Sequence, residues 1–204
     1  MIPEPTVYVV DDDDGMRESL EWLISSVGLR ARTFPSGQEC LDHLGPDSPG
    51  CLVLDVRLRG MSGMELHREL RRRGIHLPAI MITGYAEVSG AVQAMKDGAL
   101  DYIQKPFDEQ VLLDRIHSAL ARDAESREAR ARREAVLARM ETLTPRERQV
   151  LDPVVDGKTN QEISDELHIK RKTVEVHRGN MMKKMRVSNV TELVRSVLLA
   201  REED

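Results

Sequence analysis

Val7-Tyr-Val-Val-Asp-Asp12 places four consecutive apolar residues directly before two carboxylates. A strand with one face in water alternates apolar and polar residues. An unbroken run fits a strand covered on both faces, as in a parallel sheet flanked by helices. The pattern recurs at Cys51-Leu-Val-Leu-Asp55 and Ala79-Ile-Met-Ile-Thr83, each run again ending on a polar residue. Arg30 to Phe34 and Asp101 to Gln104 are weaker strands, expected nearer the edges. Helical stretches separate them. Ser36-Gly-Gln-Glu39 and Ser62-Gly-Met-Glu65 match the capping box, and Asp13 and Asp14 are placed to cap the first helix. Five β–α units in succession predict an α/β fold over residues 1–120, a five-stranded parallel doubly wound sheet.

In such a sheet ligands bind beyond the carboxyl ends of the strands, so the polar residue after each run matters most. Those residues are Asp11 and Asp12, Asp55, Thr83, and Lys105 followed by Pro106. Singly each has an ordinary explanation: a helix cap, a turn, a loop. Together they put three carboxylates, a hydroxyl and an ammonium at one sheet edge. Crowded carboxylates repel one another, and a hard divalent cation such as Mg2+ relieves the repulsion while leaving positions for phosphate oxygens. The set suits an aspartate nucleophile that accepts a phosphoryl group.

The remaining chain reads differently. Residues 121–140 are rich in Ala, Arg and Glu, good helix formers of mixed charge, and predict a solvated helical linker that continues the last helix of the first domain. Residues 141–204 predict an all-α domain of four short helices. Starts are marked at Thr144-Pro-Arg-Glu147, Thr159-Asn-Gln-Glu162 and, more loosely, Asn189-Val-Thr-Glu192. Pro153 lies inside the first of these helices, where it removes a hydrogen bond.

The net charge of −5 argues against a nucleic-acid partner until it is divided along the chain. Residues 1–120 balance at −7, whereas Lys170 to Arg186 holds seven basic residues against the single acid Glu175. On the helix expected there, Val174, Met181 and Met185 share a core-facing stripe. Lys172, Glu175, Val176, Gly179 and Lys183 share another. Val176 suits a thymine methyl, Glu175 the cytosine amino group, and Gly179 close approach to a groove. Lys170, Arg171, Arg178, Lys183, Lys184 and Arg186 suit phosphates. Charge alone leaves a solvated basic face on a protein-interaction domain equally open.

Val9-Val-Asp-Asp12, Leu52-Val-Leu-Asp-Val56, Ile82-Thr-Gly84 and Asp101-Tyr-Ile-Gln-Lys-Pro-Phe107 resemble the signatures of response-regulator receivers, in order and in spacing. The resemblance covers residues 5–120. It implies that Asp55 is the phosphoacceptor, with Asp11 and Asp12 in its acidic pocket. It further implies Mg2+ on Asp12, Asp55 and the backbone carbonyl of Arg57, and Lys105 on the phosphoryl group. Thr83 and Tyr102 would be a switch pair acting on the surface from Glu87 to Gln104, which is expected to dimerise or to release the DNA-binding domain when Asp55 is modified, and the Lys105–Pro106 bond would be cis. Leu143-Thr-Pro-Arg-Glu-Arg-Gln-Val-Leu151, Asn160-Gln-Glu-Ile163 and Thr173-Val-Glu-Val-His-Arg178 resemble the LuxR-type helix-turn-helix. The whole chain is similar to FixJ-type two-component regulators. A recognition helix over 171–185 and dimers on paired half-sites follow from that likeness.

Two departures stand out. Receivers usually carry Pro where this chain has Arg59, so the loop after Asp55 is expected to be more mobile. The helix-turn-helix usually carries Gly and Ser where this chain has His168 and Lys170, and a lysine there supplies no capping oxygen.

The partners implied are a sensor histidine kinase, double-stranded DNA, a second copy after phosphorylation and, as a further candidate, RNA polymerase. An enzyme is not expected beyond Mg-dependent self-phosphorylation and self-dephosphorylation at Asp55. An aspartate-nucleophile phosphohydrolase would normally place its nucleophile after the first strand, beneath a lid. No apolar run approaches the ~20 residues that span a bilayer, and no secretory signal is visible, so a cytoplasmic protein without a membrane partner is expected. Cys40 and Cys51 form no metal-ligand pattern and are expected as small buried hydrophobes.

Overall fold

The computed structural model describes residues 4–85 and 88–201. The chain divides into two compact units, residues 1–126 and 127–204. Ala86 and Glu87, the latter the near end of the expected switch surface, lie outside the described residues.

The first unit holds β1 (Thr6–Val10), α1 (Asp14–Ser26), β2 (Arg30–Phe34), α2 (Gly37–His43), β3 (Gly50–Asp55), α3 (Gly63–Arg72), β4 (Ala79–Thr83), α4 (Val88–Lys96) and β5 (Asp101–Gln104). It also takes the first part of α5 (Glu109–Glu141), a single helix of 33 residues. All strand pairings are parallel, in the order β2-β1-β3-β4-β5. β1, β3 and β4 are buried along their whole length, while β2 and β5 are only partly covered. The continuous and the weaker apolar runs thus sort into central and edge strands.

Helices cover both faces. Leu52, Leu54, Met81, Leu66 and Leu70 pack on one side, and Val7, Val53, Ile80, Ile82, Ile24, Leu112 and Ile116 on the other. Burial of this much aliphatic surface offsets the near absence of aromatic residues. Asp123, placed in the linker by its sequence context, is buried and accepts from the Gly50 N–H at 2.9 Å, so the first unit continues past residue 120.

The second unit takes the end of α5 and then α6 (Pro145–Val155), α7 (Asn160–Leu167), α8 (Arg171–Met185) and α9 (Val190–Arg201). Thr144 and Thr159 both complete capping boxes with their glutamates, as does Ser62 in the first unit. At Ser36 the hydroxyl accepts from the Glu39 N–H and donates to the Glu39 carboxylate, so the pair closes through the hydroxyl rather than as a full capping box. The core joins Val136, Val150, Leu151, Ile163, Val197 and the three predicted residues of α8, Val174, Met181 and Met185, all three fully buried. Pro153 stands two residues before the end of α6, where a missing N–H disturbs only the last turn.

Candidate functional site

The site is assembled by the carboxyl ends of β1, β3, β4 and β5. The order β2-β1-β3 reverses the direction of winding between β1 and β3, the place at the strand ends where open α/β sheets take their ligands. Asp11 and Asp55 follow or close those two strands and are almost fully buried, at 3 % and 6 % exposure. Lys105, just beyond β5, reaches across and donates from Nζ to Asp11 Oδ2 and to Asp55 Oδ1, both at 2.8 Å. Three residues separated by as many as 94 positions therefore meet on one ammonium group. The Lys105–Pro106 bond is cis, as the resemblance implied.

Backbone geometry fixes the carboxylates. The Asp13 N–H donates to Asp11 Oδ1 at 2.9 Å, and Asp13 itself caps α1 by accepting from the Met16 N–H. The Arg57 N–H donates to Asp55 Oδ2 at 2.8 Å. Behind Asp55 the chain doubles back so tightly that a Cβ on Gly63 would stand 2.2 Å from the Asp55 carbonyl oxygen, so only glycine fits. Burial pulls the Lys105 pKa down, but its hydrogen bonds and charge attraction to Asp11 and Asp55 outweigh this and hold it above its ordinary value. The ammonium stays charged at any physiological pH.

The other predicted residues are placed less uniformly. Asp12 pairs with Arg59, Oδ2 to Nε at 3.1 Å. Thr83 is buried, and its hydroxyl is engaged by Tyr85: it accepts from the Tyr85 N–H and donates to the Tyr85 carbonyl. Tyr102 pairs in register with Met81 and is partly buried against the core, its hydroxyl near the backbone of α4 at Gly90. The guanidinium of Arg57 lies 4.2 Å from the centre of the Tyr85 ring. Sequence reasoning missed the Arg57–Tyr85 and Arg59–Asp12 contacts. The only available signal was a long cation four residues beyond Asp55, in a chain that also carries an acidic run.

The donor set is hard oxygen throughout, which suits Mg2+, an ion that binds through one or two carboxylates and retains waters. No group of three or more acid, His or Cys side chains stands ready for a metal among the described residues, in keeping with Asp12 facing Arg59.

In the second unit, α8 begins at Lys170 without a side-chain cap, as its sequence predicted. The preceding turn is made by His168 in the left-handed region at φ 52°. Lys170, Arg171, Lys172, Glu175, Val176, Gly179 and Lys183 are all exposed, Val176 at 55 %. Around Gly179 there is open space. Arg171 pairs with Glu175 at 3.3 Å, and Arg178 donates to Asn160 of α7 at 2.8 Å. Lys184 differs from the rest: its ammonium donates to Glu147 of α6 at 2.7 Å and to the Thr142 carbonyl. Glu147 is buried, and its pKa is lowered first by that lysine and then by the Thr144 N–H. Lys184 therefore ties α8 to α6.

Residues 7–117 match the response regulator receiver domain, and residues 141–197 match the bacterial regulatory proteins of the luxR family. The chain belongs to the response-regulator family. The regulator is 44 % identical to the transcriptional regulatory protein FixJ of Azorhizobium caulinodans, over 95 % of this chain and 92 % of that protein. It is also 44 % identical to nodulation protein W of Bradyrhizobium diazoefficiens, over 93 % and 83 %. Among solved structures, response regulator StyR superposes with a TM-score of 0.87 at 42 % identity, covering 96 % of this chain and 99 % of that one. The regulator is thus a receiver joined to a LuxR-type DNA-binding domain, and it acts in two-component control of transcription rather than as an enzyme. Its family implies a sensor kinase as one partner and DNA as the other, and receivers generally depend on Mg2+. No helix among the described residues is long and apolar enough to cross a membrane.

Proposed function

We propose that Asp55 is the residue that takes the phosphoryl group. The bridging of Asp11 and Asp55 by Lys105 supports this most directly, because it puts a permanent cation on the buried carboxylate where phosphate charge would develop. An Asp55 oxygen forms the new P–O bond as the P–N bond of a kinase phosphohistidine breaks, the imidazole nitrogen keeping the electron pair and taking a proton. Lys105 then moves its contact from the carboxylate to a phosphoryl oxygen. Mg2+ would be held by Asp12, Asp55 and the Arg57 carbonyl, and when bound it neutralises charge on the incoming group. Asp11 completes the acidic pocket and orients Lys105.

The switch role falls to Thr83 and Tyr102. Thr83 gives up its Tyr85 partners for a phosphoryl oxygen, and Tyr102 follows into the space vacated beside α4. The changed surface pairs two copies of the chain. Paired copies set two α8 helices on DNA half-sites, where Lys172, Glu175, Val176 and Gly179 meet base edges and Lys170, Arg171, Arg178 and Lys183 meet phosphates. Lys184 adds charge near the backbone while keeping its structural bond. RNA polymerase is the downstream contact, in the cytoplasm.

The test is phosphorylation of the full chain by a small donor such as acetyl phosphate in Mg2+, followed by sedimentation and DNA titration. The wild type should gain phosphate that base and hydroxylamine both remove, as they do from an acyl phosphate, together with a doubled mass and tighter DNA binding. Asp55→Ala should gain none of the three. Undiminished labelling of Asp55→Ala refutes the assignment.

A further inference from the structure

Three carboxylates meet two cations at the strand ends. Lys105 serves Asp11 and Asp55, and the third, Asp12, is served by Arg59 at 3.1 Å. Arg59 lies in the loop between β3 and α3, just before Gly60, whose φ of 82° turns the chain. Its side chain is 92 % exposed, so packing does not hold it in place and the charge of Asp12 is its evident anchor. Asp12, at 26 % exposure, is the most open of the three acids and the one a cation from solvent reaches first.

We propose that Arg59 is a built-in competitor of Mg2+ for Asp12, so that it sets the metal concentration at which this receiver becomes ready for phosphate. The proposal rests on the assignment of Asp12 as a metal ligand. A guanidinium within 3.1 Å of the carboxylate oxygen neutralises the charge that attracts the ion. Once Mg2+ arrives, the two cations repel across one carboxylate and Arg59 must swing into solvent. Its exposure makes that movement inexpensive in packing, so the competition weakens metal binding without abolishing it. Because the pair is solvent-exposed on the arginine side, the effect is moderate and screened by salt.

Calorimetric titration of the full chain with MgCl2 at constant ionic strength tests this. Arg59→Ala and Arg59→Gln should bind Mg2+ about three- to tenfold more tightly than the wild type. Arg59→Lys, which keeps the charge, should stay within about twofold. In an Asp12→Asn background, Arg59→Ala should give no gain, because the two residues act as a pair. Raising the salt should narrow the gap between wild type and Arg59→Ala. Equal Mg2+ affinity in wild type and Arg59→Ala overturns the competition while leaving the metal site standing. Absence of Mg2+ binding in every variant, Arg59→Ala included, overturns the metal assignment and the competition with it.

Discussion

The two units handle charge in opposite ways. In the first, charged groups are drawn inside: Asp11 and Asp55 are almost fully buried, and Lys105 is mostly so, which is the desolvated, fixed setting that the proposed phosphoryl transfer needs. In the second, charge stays at the surface, with the basic excess on α8, and among the described residues only Glu147 is a buried acid, held by Lys184. A site that performs chemistry announces itself by convergence in the unbound fold. A surface that reads a polymer shows only exposure and sign, and its geometry is completed by the partner.

Acid should break the two units in different pH ranges, and this is the largest effect expected. His67 of α3 is 1 % exposed, and neither ring nitrogen has a hydrogen-bond partner among the described residues. Burial first, and the charge of Arg71 second, lower its pKa to about 4, against an opposing pull from Asp97. The folded state therefore keeps this histidine neutral while the unfolded chain protonates it near the ordinary 6.5. Stability is full above that value and falls as pH drops toward 4, by up to about 3 kcal/mol. Denaturant midpoints of the first unit between pH 7 and 4.5 should show the decline, and His67→Leu should flatten it.

Glu147 works in the opposite sense chemically but loses stability in the same direction. Its folded pKa lies below the ordinary 4.5, so its contribution is present above that value and is lost only as pH falls further, through the folded pKa. The first unit should thus loosen at a higher pH than the second.

The contrast sharpens within α8 itself. Lys184→Ala strands the buried Glu147 carboxylate and should lower the stability of the second unit by about 2 kcal/mol, less than for a wholly buried pair because the lysine is partly exposed. Lys183→Ala, one position earlier and exposed, should change stability by less than about 0.5 kcal/mol. It should instead reduce the slope of log affinity for DNA against log salt by about one. Equal stability losses for the two lysines would erase the distinction between a structural and an outward-facing cation.

His168 gives a smaller effect than Lys184, and of opposite sign. It holds a left-handed conformation that costs a side-chain-bearing residue about 1–2 kcal/mol, part of which glycine returns through the entropy of its unfolded chain. His168→Gly should raise the melting stability of the second unit by about 0.5–1 kcal/mol.

The fold was legible because its signals are local and redundant. Unbroken apolar runs such as Val7 to Val10, recurring between helical stretches, fit central strands, and Ser62, Thr144 and Thr159 carry their caps within four residues. The convergence of Asp11, Asp55 and Lys105 was legible too, because a parallel sheet dictates which ends meet. Contacts set by side-chain reach were not. Nothing in residue order says that Arg59 turns to Asp12, that Arg57 lies over Tyr85, or that Lys184 rather than Lys183 finds Glu147. A helical register separates neighbouring lysines by about 100° of rotation, and only the packed domain decides which of them points inward.

Peptide mapping of the phosphorylated full chain probes the heart of this account most directly. After brief treatment with a phosphoryl donor and Mg2+, the modification should fall on the peptide carrying Asp55 and on no other carboxylate. Phosphate found on Asp11, Asp12 or Asp13 with Asp55 unmodified would contradict it.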